Sequence, residues 1–161
     1  MAHVTIEYVI MIPLLILQIF LFPFAASWIM NVWVDSRRTL ALQETASHLG
    51  SSIQQIYFSL NHTTIPEGTV TNKLDVPPFI EGYAYRGTVI LKTISDPVPG
   101  SKVLELTLVL RGVDISATAT VTLGDNAEWS EEYSTFMSNS TSAYLQATKY
   151  GNEMIQLSFL S

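Results

Sequence analysis

Tyr8-Val9-Ile10-Met11-Ile12-Pro13-Leu14-Leu15-Ile16-Leu17-Gln18-Ile19-Phe20-Leu21-Phe22-Pro23-Phe24-Ala25-Ala26-Ser27-Trp28-Ile29-Met30-Asn31-Val32-Trp33-Val34 runs for 27 residues between Glu7 and Asp35 without a charged side chain. A lipid core is crossed by about 20 apolar residues in helical form. A helix suits that setting because it satisfies its own backbone groups. The run therefore reads as a membrane-spanning or fully sheathed helix. A cleavable secretory signal has a basic n-region and an apolar stretch of only about 7–15 residues. This run is longer, has a glutamate on its N-terminal side, and continues apolar past the small triplet Ala25-Ala26-Ser27.

Working outward, residues 4–60 read as one helix in two halves. Beyond Asp35 the apolar positions narrow to Leu42, Ala46, Leu49, Ile53, Ile56 and Leu60, at spacings of three and four, which is the seam of an amphipathic helix. Arg37, Arg38, Glu44, Ser47, His48, Ser51, Ser52, Gln55 and Ser59 form its solvated side. In the apolar half, Pro13 cannot donate to the carbonyl of Val9, nor Pro23 to that of Ile19, so a kink or local loosening is expected at each. The turn formers Asn61-His62-Thr63-Thr64-Ile65-Pro66 end the helix. The division expected is a helix over 1–62, apolar over 8–34 and amphipathic over 35–60, followed by a β-rich head over 63–161.

From about residue 67 the period changes to two. Val103–Arg111 and Val113–Leu123 alternate around Gly112 as a hairpin. Ile80–Tyr85 and Thr88–Ser95 read as two strands broken at Arg86-Gly87 and closed by Asp96-Pro97-Val98-Pro99-Gly100. Ala143–Lys149 and Glu153–Leu160 flank the turn Tyr150-Gly151-Asn152, and Trp129–Met137 reads as one further strand. Seven or eight short strands with regular turns predict an α+β chain: a long N-terminal hydrophobic helix, then an antiparallel β-sandwich head of immunoglobulin-like type.

The net charge is −6, from 14 acidic and 8 basic residues, and no basic patch is present, so nucleic acid is not an expected partner. Without cysteine there is no disulfide, zinc-thiolate site, iron–sulfur cluster or c-type haem attachment. His3, His48 and His62 have neither metal-ligand spacing nor a serine in a nucleophile turn. Glu131-Glu132 on a strand would point to opposite faces, and the glycines form no phosphate loop. No catalytic, metal or cofactor residue is expected, and the chain is not read as an enzyme. Asn61-His62-Thr63 and Asn139-Ser140-Thr141 are glycosylation sequons in predicted turns, which makes Asn61 and Asn139 the glycosylation candidates. Trp28 and Trp33 suit either an interfacial belt or packing between helices.

A carboxylate at the edge of a long apolar helix is costly unless paired. Glu7 either marks the membrane boundary and helps the helix N-terminus, or meets an N-terminal ammonium of this or a neighbouring subunit. The stretch Val4-Thr5-Ile6-Glu7-Tyr8-Val9-Ile10-Met11-Ile12-Pro13-Leu14-Leu15 resembles the N-terminal motif of TadE-like pseudopilins, matching at Glu7, Tyr8 and Pro13. More broadly it is similar to type IV pilins, archaeal ones included, and Pro23 falls close to their helix-breaking proline. The likeness covers about 35 residues.

That resemblance implies Glu7, Tyr8, Pro13 and Pro23 as assembly residues, and a prepilin peptidase and pilus assembly machinery as partners. Pilin processing would make Glu7 the fifth mature residue and His3 the first, and the basic leader of the family is not seen before it. Arg37-Arg38 after the apolar run favours a cytoplasmic C-terminal side. The sequons and composition place the head outside, and an upstream basic leader would restore that balance. The function expected is a structural subunit of an extracellular type IV-like pilus. Its subunits would sit in the cytoplasmic membrane before assembly and form a homopolymer with N-terminal helices bundled in the core and β heads outside. The alternatives are a TadE-like minor pseudopilin of an envelope assembly machine, or a single-pass membrane-anchored binding module.

Overall fold

The computed structural model describes residues 2–93 and 100–160, with side chains from residue 9 onward. Helix α1 spans Ala2–Leu60 and passes through Pro13 and Pro23 without interruption. Eight strands follow among the described residues: β1 Gly68–Lys73, β2 Tyr85–Thr93, β3 Lys102–Leu110, β4 Ser116–Leu123, β5 Ala127–Trp129, β6 Thr135–Met137, β7 Tyr144–Lys149 and β8 Ile155–Leu160. The molecule is α+β, and its strands form two four-stranded sheets in the orders β1-β7-β8-β5 and β4-β3-β2-β6. The pairings are antiparallel except β5 with β8, which is parallel.

Two compact units make up the chain, Met1–Arg37 and Arg38–Ser161. In the second, strict alternation puts Leu104, Leu106, Leu108 and Leu110 of β3 and Ala117, Ala119, Val121 and Leu123 of β4 in the core. Val103 is half-buried and Val109 exposed on the other face of β3. Ile155, Leu157 and Phe159 of β8 join the same core. Ring contacts tie the two sheets together, with Phe136 on β6 at 4.7 Å from Phe159 on β8, which also meets Trp129 at 5.0 Å.

The amphipathic half of α1 lies along the sheet edges formed by β4 and β1. Leu42, Ala46, Leu49, Ile53, Ile56 and Leu60 are all buried, and Thr45, Gly50 and Tyr57 are buried beside them. An edge strand carries backbone carbonyls in need of donors. Here Gln43 Nε2 donates to the Thr118 carbonyl at 3.2 Å and Gln54 Nε2 to that of Thr122 at 3.3 Å. Gly50 permits the approach, since a Cβ there would stand 2.8 Å from Val121 Cγ2.

Three expectations about strands need correction. Arg86-Gly87 is not a break: both residues sit inside β2, where Gly87 leaves room for the Phe136 ring, which a Cβ would strike. Ile80–Tyr85 is not a strand. Ile80 and Tyr83 exchange backbone hydrogen bonds of 2.9 and 3.0 Å across a tight turn at Glu81-Gly82, both with positive φ. Trp129–Met137 is split by a 3₁₀ turn at Glu131–Tyr133, where the chain crosses from one sheet to the other, and both glutamates are exposed there. The Tyr150 turn does join β7 to β8, with Glu153 at φ 66° in the left-handed position. Of the predicted strand Thr88–Ser95 and its closing loop, residues 94–99 lie outside the described residues.

Candidate functional site: the apolar helix segment

Every large apolar side chain from Val9 to Trp33 is 50–78% exposed in the single chain. Alternating faces are absent here, because apolar residues occupy all positions of the turn apart from Gln18, Ser27 and Asn31. At about 1.5 Å per residue the 27-residue run is about 40 Å long, against about 30 Å for a bilayer's hydrocarbon core. Among the described residues this helix alone is long and apolar enough to cross a membrane, with mean hydropathy reaching 2.5. It is compatible with membrane insertion. Chemically the segment offers dispersion contacts and the backbone carbonyls of Val9 and Ile19, which the prolines leave without their helical donors. At its end the Arg37 guanidinium lies 5.0 Å from the Trp33 ring centre, one turn away.

Pro13 and Pro23 are exposed on this segment. Glu7 and Tyr8 belong to α1, but their side chains lie outside the described residues. The four assembly candidates thus share one helix, and no contact brings the described ones together.

In the second unit, polar groups fix the C-terminal end of α1 to the strands. Tyr57 donates its hydroxyl proton to Asn126 Oδ1 and accepts the Gly124 N–H at 3.1 Å. Asn126 Nδ2 donates to Asn61 Oδ1 at 2.9 Å and to the Glu153 carbonyl at 2.8 Å. Lys149 is buried on β7, and its Nζ donates to the His62 carbonyl at 3.1 Å, just past the helix end. A cation just past the C-terminal end of a helix suits its dipole. Burial raises the Tyr57 hydroxyl above its usual range, and Asp125 adds to the shift while the Gly124 N–H opposes it. Burial also raises that of Tyr85, which donates to the Pro77 carbonyl at 2.8 Å. Arg38 stacks 4.9 Å from the Tyr83 ring centre and comes within 4.0 Å of Glu81.

Both sequon asparagines are exposed in turns. The hydrogen bond at Asn61 uses Oδ1, whereas an N-linked sugar attaches at Nδ2, so clasp and glycan are compatible. Asn139 sits in the turn after β6. Among the described residues no group of three or more His, Asp or Glu is placed to hold a metal ion. Sequence reasoning missed the clasp residues Tyr57 and Asn126 and the buried Lys149. Tyr57 does follow Ile53 and Ile56 on the apolar side, and that spacing was a usable signal; Asn126 and Lys149 gave none.

No family model matches the chain, and no curated protein or solved structure is significantly similar to it.

Proposed function

We propose that this chain is a structural subunit of an extracellular type IV-like pilus. The observation that carries the reading is the apolar surface from Val9 to Trp33, exposed on all sides in the single chain. Such a surface is stable in lipid or against other apolar helices, and each large side chain it buries contributes about 1.5–3 kcal/mol. In this reading the subunit waits in the cytoplasmic membrane, is processed by a prepilin peptidase, and exchanges lipid for neighbouring helices in the filament core. The heads stay outside as immunoglobulin-like β-sandwiches, a layout supported by two four-stranded sheets that share one core. Asn61 and Asn139 carry the glycans, on exposed turns. Glu7, with Tyr8, Pro13 and Pro23, supplies the pilin-like N-terminal pattern.

Shearing intact cells tests this. The chain is expected both in the membrane and in the sheared surface fraction. Confinement to the membrane under every growth condition would remove the pilus in favour of the TadE-like minor pseudopilin or the membrane-anchored binding module.

A further inference from the structure

Two open sides flank the paired sheets of the head. The helix half around Leu49 covers the side formed by β4 and β1. The other side, formed by β2 and β5, is closed only in part. Strand β6 pairs with β2 at Arg86, Gly87 and Thr88 and then ends, although β2 continues to Thr93. Val89 N–H still finds a partner, the Ser134 carbonyl at 2.9 Å. Strand groups alternate in direction with a period of two. Leu91 therefore aims its N–H and carbonyl to the same side as Val89, beyond the end of β6, where no hydrogen bond from the described residues meets them.

That edge borders a groove of about 470 Å³ lined by Val89, Ile90, Leu91, Glu128, Trp129 and Glu131. Ile90 is 53% exposed, an apolar side chain of the kind a neighbouring strand would cover. Trp129 Nε1 is buried and has no acceptor among the described residues, and an unmet buried donor is a cost that native interiors seldom carry. Glu128 and Glu131 are both exposed, so the groove is acidic.

We propose that this groove binds an extended peptide segment carrying lysine or arginine, which adds to the open edge of β2 as a further strand. Backbone pairing at Leu91 supplies the register, and alternate basic side chains meet Glu128 and Glu131. The reading is independent of whether the chain forms a pilus, since it concerns the head alone.

The test uses the full chain in detergent micelles and the probe acetyl-Thr-Lys-Val-Lys-Val-Thr-amide. Amide exchange at Leu91 is expected to slow about tenfold at saturating peptide, with a shift of the Trp129 indole N–H signal. The same peptide with glutamate for lysine should bind about tenfold more weakly, and Glu128→Gln with Glu131→Gln should erase most of that difference. An N-methylated lysine peptide, unable to pair, should leave the Leu91 amide unprotected. Equal binding of the N-methylated or the glutamate peptide would overturn the proposal, as would perturbation that spares Leu91. Protection of Leu91 that rises with protein concentration in the absence of peptide would do the same, assigning the edge to a second copy.

Discussion

Tyr57 holds the helix end to the turn between β4 and β5 through one hydroxyl group, and its ring fills core space at 1% exposure. Tyr57→Phe keeps the ring and leaves the Gly124 N–H and Asn126 Oδ1 each short of a partner. The expected loss is about 1–3 kcal/mol, read as a lower denaturant midpoint. An unchanged midpoint would mean that water completes the clasp. Buried tyrosines also set an alkaline limit. Folding raises the Tyr57 and Tyr85 hydroxyls above their ordinary value of 10.0. Below that value both states are protonated and the stabilisation is whole. As pH rises past it, the unfolded chain ionises first and stability falls. Above about pH 10 the midpoint should drop as pH rises, and drop less steeply in Tyr85→Phe. Equal slopes in the two proteins would contradict the burial argument.

Elements with strong periodicity were legible from sequence, and short crossings were not. The stripe Leu42 to Leu60 and the alternation of β3 and β4 each repeat often enough to fix a buried face, and those side chains are buried. Gly87 misled because a glycine inside a strand pattern looks like a break, and only the distant Phe136 ring gives its reason. The 3₁₀ turn at Glu131–Tyr133 carries neither period, and the three-residue strands beside it depend on partners far along the chain. The same holds for the candidate site. An uncharged run of 27 residues declares itself, whereas the Leu91 edge exists only because β6 stops early. For the helix, the test is a charge in its apolar half. Leu17→Asp or Phe24→Asp should abolish assembly, since an unpaired buried charge costs several kcal/mol. Wild-type amounts of filament from either variant would deny the segment a buried environment.

At the scale of the whole molecule, an apolar helix half and a self-sufficient β-rich unit have different solvent requirements, and a single chain in water meets only one of them. Lipid or a bundle of copies meets the other. In the bundle, Glu7 would have its charge compensated by a neighbour's N-terminal amine, which guides docking more than it stabilises, because desolvation offsets the attraction. Glu7→Gln should therefore slow or stop assembly while membrane insertion and head folding stay normal; assembly at the wild-type rate would reduce Glu7 to a boundary marker. The most direct test of the central claim is electron cryo-microscopy of filaments sheared from cells that express this chain. The expected result is filaments whose core is the Val9–Val34 helices of neighbouring copies, with interaxial distances of about 8–10 Å and β heads at the rim. Surface filaments that lack this chain, or a filament held by head contacts with those helices outside the core, would contradict it.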